Sequence, residues 1–167
     1  MIKYKVMRIE LIDFNETGWL PCFLDWDDID TQRGYNFIPN WNVLEEYIGI
    51  FKSKRYLLNC LIKDIESKNI VGHITLSDKV KPDIAIWIFK DYRNQGIGRK
   101  GLIQALEILR HRKCITEVYA GIYKRNIKSI SLFKSLGFVE IGNDDTEIEI
   151  YTGQTTYQIL YRKEISS

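Results

Sequence analysis

The sequence predicts an α/β (α+β) fold: a mixed, mostly antiparallel central sheet with helices on both faces, in the order β-α-α-β-β-β-α-β-α-β-β. Three observations predict it. "DIAIWIF" (83–89), β-branched and aromatic, reads as a buried strand and leads through a glycine loop into an amphipathic helix and a second strand. The crossover of such a β-α-β unit is right-handed, with its strands parallel or splayed. Alternating runs on either side are joined by short polar turns, as in antiparallel hairpins. The third observation is size: 167 residues, 45% hydrophobic and 28% charged, suit one domain with one core, so a single domain over 1–167 is expected.

"VMRIELIDF" alternates and reads as the first strand, and "ETGWLPCFLDW" as a short helix followed by a polar, acidic loop, "DDIDTQRGYNFIPN". Asn42 with Glu45 three residues later starts a helix, "VLEEYIGIFKSK", with lysines in its last turn. "RYLLNCLIKD" and "NIVGHITLS" flank the polar turn "IESK" and form a hairpin. After the glycine loop, "GLIQALEILRHRK" places Leu102, Leu106 and Leu109 on one face, and Arg110, Arg112 and Lys113 at its C-terminal end. "EVYAGIY" is a strand. "NIKSISLFKSLG" is a helix with Asn126 as its cap and Gly137 as its left-handed end. "FVEIGND" and "TTYQILYRKEI" are the closing strands.

Composition narrows the function. The 24 basic and 22 acidic residues are mixed along the chain, and a net charge of +2 argues for neither nucleic acid nor a membrane as the main partner. Cys22, Cys60 and Cys114 are odd in number and widely spaced, which suggests neither a disulfide framework nor a zinc site; no metal is expected, and a reducing cytoplasm fits. The start, "MIKYKVMRIE", lacks the apolar run of a signal peptide.

"RNQGIGRKGL" (93–102) carries the densest chemistry. Gly96, Gly98 and Gly101 satisfy G-x-G-x-x-G, whereas Arg93, Gly96 and Gly98 satisfy R-x-x-G-x-G; both patterns place backbone amides around a phosphate at a helix start. A dinucleotide site wants its first glycine at the strand end and an acid at the end of the next strand, but "KDYRNQ" separates Phe89 from Gly96 and the next strand ends "GIYKRN". A P-loop wants Lys and Ser or Thr where Leu102 and Ile103 stand. A ligand-free helix start remains the bland alternative, set against the anion-friendly Arg93, Gln95, Arg99 and Lys100.

The surroundings of the loop fit an acyl-coenzyme-A site. "IAIWIFKDYRNQGIGRKGLIQALEIL" followed by "VYAGIYKRNIKSISLFKSLGFVEIG" resembles the two central motifs of the GNAT superfamily of acyl-CoA-dependent N-acetyltransferases. The second motif rests on Asn126, Ser129, Phe133, Gly137 and Phe138. The outer segments, with Gly72 and an aromatic loop after the first helix, resemble the branch of ribosomal-protein N-terminal and spermidine acetyltransferases. The resemblance implies a GNAT-like fold, acetyl-CoA (coenzyme A) as cofactor, and transfer of an acetyl group to a primary amine by direct attack in a ternary complex. The acceptor would be a protein N-terminus or lysine, a polyamine, or an aminoglycoside-like small molecule.

The same resemblance assigns roles. Amides from Gln95, Gly96, Ile97, Gly98, Arg99 and Lys100 would hold the pyrophosphate, with Arg93 and Asn94 also binding the cofactor, and the backbone of Ile86, Trp87 and Ile88 would align the pantetheine. Asn126 and Ser129 would contact that arm, beside Phe133. The N–H of Ile88, or of Trp87, would donate to the thioester oxyanion. Phe133 stands where many relatives carry a proton-donating tyrosine, so Tyr123 or Tyr119 would substitute, or CoA would leave as thiolate. For the base, Asp83 and His73 are the candidates, each with a plain structural alternative, and a water chain is a third route. Trp26, Asp27, Asp28 and Tyr35 are candidates for the acceptor site, in a loop that also holds Asp25 and Asp30; this acidic rim would attract a cationic amine, or simply be solvated. Three further alternatives are a non-catalytic acyl-CoA-binding or sensing module, a covalent route through Cys60 or Cys114, and a homodimer formed through the late strands "EIEIYTGQTTYQILY".

Overall fold

The computed structural model of the protein describes residues 6–165; residues 1–5, the start of the segment read as lacking a leader, and residues 166–167 lie outside it. Its strands are β1 (Ile9–Asp13), β2 (Tyr56–Asp64), β3 (Ile70–Ser77), β4 (Ile84–Ile88), β5 (Glu117–Tyr123), β6 (Val139–Asn143), β7 (Glu147–Ile148), β8 (Thr155–Thr156) and β9 (Gln158–Glu164). Its helices are α1 (Trp19–Asp25), α2 (Ile29–Tyr35), α3 (Leu44–Phe51), α4 (Ile97–Arg110) and α5 (Ile127–Ser135). Among the described residues, no helix is long and apolar enough to cross a membrane.

The strands form an antiparallel sheet β1-β2-β3-β4 and a second antiparallel sheet β5-β9-β6. Between them, β4 and β5 meet in one parallel bridge, Asp83 to Tyr119, where the Tyr119 N–H donates to Pro82 O at 2.9 Å. Beyond that stitch the two strands splay, as the β-α-β unit predicts.

Alternation along β4 divides the interior. Ile84, Ile86 and Ile88 point to a core shared with α4 (Leu102, Ala105, Leu106, Leu109), α5 (Phe133) and both sheets (Leu61's neighbour Ile62, Ile74, Val118, Tyr161). Trp87, with Phe89 one residue past the strand, points to a second, aromatic cluster with Cys22, Trp26, Trp41 and Tyr47, beneath α1 and α3. Helix α4 approaches closely because Gly101 has no side chain: a Cβ there would lie 3.1 Å from the Cδ1 atoms of both Ile62 and Ile74. The third glycine of the loop is therefore a packing residue.

Several boundaries differ from expectation. The acidic loop after the first helix contains α2: Asp28 caps it by accepting from the Thr31 N–H at 3.0 Å, and Asn36, left-handed at φ 49°, ends it. Gly34 and the polar composition hid this helix. Helix α4 begins four residues earlier than "GLIQ" suggests, because Gly96 at φ 73° turns the chain straight into it. The expected turn after β2 is organised by Asp64, which accepts from the N–H groups of Glu66 and Ser67 at 3.3 and 3.2 Å. The small β7–β8 hairpin, residues 147–156, was not legible as separate strands.

Candidate active site

Where β4 and β5 part, a cleft of about 880 Å³ opens, floored by both strands and walled by the glycine loop, α5 and α2. That volume is within the range of small-molecule and cofactor sites. The register of β4 decides what its backbone offers. Ser77 N–H donates to Asp83 O at 3.0 Å and Phe89 N–H to Val71 O at 3.0 Å, so with Trp87 opposite His73 the odd residues of β4 bond to β3. The even residues face the other way. The N–H groups of Ile86 and Ile88 and the carbonyl of Ile86 point into the slot, while Ile88 O accepts from Arg93 Nε at 3.0 Å. Of the two candidate oxyanion donors, Ile88 has its N–H on the slot side. The backbone of Trp87 is used by β3, and its indole Nε1 donates to Asp25 Oδ2 at 2.7 Å, so Trp87 contributes wall rather than a hydrogen-bonding edge.

At the broad end, Asn94 (φ 60°) and Gly96 (φ 73°) wind the loop into the start of α4. The first bond of this helix across its cap is Lys100 N–H to Gly96 O at 3.3 Å, so the amides of Gly96, Ile97, Gly98 and Arg99 precede the helical ladder and line the cleft. A Cβ on Gly98 would lie 3.2 Å from Leu132 Cδ2 of α5, which keeps this throat narrow. Arg99 donates to Ser135 Oγ at 2.6 Å, and Lys128 to Asn94 Oδ1 at 2.9 Å, placing two cations at the loop. These groups fit a diphosphate, and the unpaired edge of β4 fits an amide-bearing arm.

The side chains of three loop residues are engaged within the protein. Arg93 has its guanidinium committed within the protein: Nη1 donates to Asp28 Oδ2 at 2.7 Å and Nη2 to Thr31 Oγ1 at 2.7 Å, with Asp25 Oδ2 at 3.5 Å. It is a strut between the loop and α2. Lys100 points to the opposite side of α4, where its ammonium donates to Met7 O at 2.7 Å. Gln95 folds back to Asp91 O at 3.4 Å and lies outside the lining.

Asn126 caps α5 by accepting from Ser129 N–H at 3.3 Å, and both residues line the cleft. Phe133 also lines it, packed edge-on against Phe138 at 4.9 Å. Tyr123 lines the cleft from β5; its hydroxyl donates to Glu147 Oε1 at 2.7 Å, and Arg125 lies 4.7 Å over its ring. Burial, followed by the Glu147 carboxylate, pushes the phenol up to about 12. Tyr119 instead donates to Glu117, away from the lining.

Asp83 sits in the lining at the stitched end, accepting from Ser77 Oγ at 2.5 Å with Lys79 Nζ at 3.4 Å. His73 is not in the cleft. Its backbone pairs with Trp87, which sends its ring to Phe14 (5.1 Å) and its Nε2 to Asn59 Oδ1 (2.6 Å); burial lowers it to about 4. Cys60 and Cys114 are likewise outside the lining, and burial pushes the Cys60 thiol up, which removes the covalent route its footing.

Of the acceptor candidates, Tyr35 alone lines the cleft, its ring 6.0 Å from Trp87 and its hydroxyl buried enough to be pushed well above the usual tyrosine range. Trp26 is core, 5.3 Å from Trp87 and 5.5 Å from Trp41. Asp27 faces a separate shallow hollow, and Asp28 holds Arg93. The acidic rim is thus largely internal wiring.

Sequence reasoning missed the rest of this wall of the cleft. Asp30, Thr31, Arg33 and Gly34 reach the cleft because α2 exists, and Arg125 and Gln158 reach it from the ends of β5 and β9. The β7–β8 hairpin closes over α2: Arg33 Nε meets Glu149 Oε1 at 3.1 Å, and Asn36 Nδ2 donates to Glu147 Oε2 at 2.8 Å. Hydrogen bonds from Thr152, joined by Arg33 and Arg125, hold the Glu149 carboxyl down to about 2. Within the chain, these late strands bind α2 and β5. Glycine at 34 and a six-residue gap before the hairpin's return strand gave no sequence signal for any of this.

Comparison with known proteins finds the same fold elsewhere. Solved structures with the same fold include the spermidine N-acetyltransferase of Vibrio cholerae in complex with CoA and spermine (TM-score 0.79, 15% identity, covering 94% of this chain and 95% of that one). They also include an N-acetyltransferase of Staphylococcus aureus Mu50 (TM-score 0.77, 15% identity, 95% and 99%) and the ribosomal-protein-S18-alanine N-acetyltransferase of Escherichia coli (TM-score 0.72, 20% identity, 96% and 96%). No curated protein matches by sequence. The sequence model of the Acetyltransferase (GNAT) family, whose members use acetyl-CoA, matches residues 18–138 and so takes in the glycine loop, the splayed strands and α5. With more than half of its length in that match, the chain belongs to the GNAT family of acetyltransferases.

Proposed function

We propose that the protein transfers an acetyl group from acetyl-CoA to a primary amine by direct attack in a ternary complex. The observation that carries this reading is the unpaired inner edge of β4, the Ile86 and Ile88 amides, leading from the glycine-loop amides to the mouth between α2 and the β7–β8 hairpin. When bound, acetyl-CoA would supply a thioester carbonyl within this slot. Gly96 to Arg99 would hold its phosphates, Ile86 would pair with its pantetheine amides, and the Ile88 N–H would donate to the carbonyl oxygen as negative charge grows there. Asn126 and Ser129 line the same path from α5. Tyr35, Asp30 and Tyr123 bound the end from which the amine would enter, and their mixed polar and aromatic character suits a cationic acceptor: a protein N-terminus or lysine, a polyamine, or an aminoglycoside.

A non-catalytic acyl-CoA-binding role is the second reading, favoured by one observation, the missing hydroxyl at Phe133. Thermal shift with acetyl-CoA against NAD, followed by thiol release over spermidine, an alanine-terminated peptide and an aminoglycoside, tests both. Stabilisation by acetyl-CoA with turnover of at least one amine is expected. Stabilisation with no turnover would favour the binding module, and stabilisation by NAD alone would overturn both.

A further inference from the structure

The slot meets little proton chemistry on its far wall. Gly121 has no side chain, and Phe133 has no hydroxyl. Continuing the parallel register from the Asp83–Tyr119 stitch sets Gly121 across from Ala85 and Tyr123 across from Trp87, level with the Ile86 and Ile88 amides. Tyr123 is therefore the group β5 brings to the reacting end. Its hydroxyl donates to Glu147 Oε1 at 2.7 Å, and the other oxygen of Glu147 accepts from Asn36 Nδ2, at the end of α2, at 2.8 Å. The carboxylate is thus fixed from two elements and stands exposed to water on its outer side. A phenolic oxygen donates once and accepts up to twice, so with its proton given to Glu147 the Tyr123 oxygen can still accept an N–H arriving along the cleft.

From this geometry we infer that Glu147 is a positioning residue that accepts, through the Tyr123 hydroxyl, the proton the incoming amine must lose. The inference rests on the acetyl-transfer reading above. An ammonium N–H bond breaks and its proton passes to Tyr123 Oη while the phenolic proton passes to Glu147 Oε1. The nitrogen keeps the electron pair and forms the C–N bond as the C–S bond breaks; its second proton goes to the departing sulfur. Amide and thiol result, and Glu147 returns one proton to water. The charged groups facing the pair are Arg125, over the Tyr123 ring, and Arg33 of α2; both are met by Glu149, at 3.8 and 3.1 Å. Glu147 therefore keeps its acceptor role without a guanidinium of its own.

Glu147→Gln retains an oxygen for the Tyr123 hydroxyl but cannot take up a proton. With whichever of spermidine, the alanine-terminated peptide or the aminoglycoside is acetylated, Glu147→Gln and Tyr123→Phe should each lower kcat by about 10²-fold, and the double variant should be no worse than either. The Glu147→Gln deficit should narrow as pH rises and free amine becomes abundant. Acetyl-CoA affinity by calorimetry should not change, and Asp145→Asn, on the same connection, should keep the full rate. Independently of turnover, ultraviolet titration of phenolate, with Tyr123→Phe as the subtraction, should show Tyr123 ionising at lower pH once Glu147 is Gln. A wild-type rate for Glu147→Gln across the pH range, or an unmoved Tyr123 titration, would overturn the relay alone. Acetyl-CoA binding with no amine acetylated would overturn the acetyl-transfer reading, and the relay with it.

Discussion

Arg93 Nη1 and Asp28 Oδ2 lie 2.7 Å apart, so the arginine of the R-x-x-G-x-G pattern faces a carboxylate of α2 rather than a phosphate. The Asp28 and Asp25 side chains are only 11% and 8% exposed, so removing the guanidinium leaves two largely buried carboxylates short of a partner. Arg93→Ala should destabilise the protein by about 2–4 kcal/mol in urea unfolding. Burial pushes the Asp28 carboxyl up, but hydrogen bonds from Arg93 and Thr31 outweigh it and hold the group below its ordinary range. A depressed carboxyl contributes stability above its unfolded pKa and loses it as pH falls through the folded one. Wild type should therefore lose stability below pH about 4, and Arg93→Ala should lose less of it there.

His73 has the opposite chemistry with the same direction of pH response. Burial lowers the imidazole to about 4, so between its ordinary pKa near 6.5 and that value the unfolded chain binds the extra proton. Stability should be full above pH about 6.5 and decline as pH falls toward 4, by on the order of 3 kcal/mol at most. His73→Gln should abolish this slope while leaving acetyl-CoA binding intact. A retained slope would place the titrating group elsewhere.

Gly98 and Gly72 should fail differently. Gly98→Val would fill the throat beside Leu132 and Ile88, lowering acetyl-CoA affinity by tenfold or more, on the order of 1.4 kcal/mol, in calorimetry with a cooperative melt preserved. A Cβ on Gly72 would stand 2.5 Å from the Trp87 carbonyl oxygen, which is backbone and cannot turn aside. Gly72→Ala should lower the melting temperature and displace the strand that carries the Ile88 amide.

Tyr35 lines the proposed acceptor end of the cleft and also packs 5.2 Å from Trp26. Tyr35→Ala should raise KM for the amine severalfold with acetyl-CoA affinity unchanged. An equal loss in both would mean that the ring acts by supporting Trp87, 6.0 Å away.

How much of this was legible follows from how local each signal is. The glycine-loop end of the cleft was readable because a helix start, its glycines and the capping Asn126 lie within a few dozen consecutive residues, and exposed backbone amides need only the right turn. Arg93 misled for the same reason: its pattern says nothing of Asp28, 65 positions earlier, which claims the guanidinium. The opposite end depends on contacts across more than 100 positions, such as Asn36 to Glu147, joining a helix that Gly34 disguised to strands two residues long. His73 lies one strand in from the cleft, on β3, with its ring held by Phe14 and Asn59, and neither partner is near it in sequence.

The stitch at Asp83 and Tyr119 makes β4 an edge strand turned inward. Exposed edges invite pairing with other polypeptides, and proteins commonly blunt them with charge, proline or bulges. Here the free amides of Ile86 and Ile88 carry no such guard. They lie instead at the floor of a cleft between α2 and α5, so the four-stranded sheet ends on an unpaired edge that faces the protein's own helices.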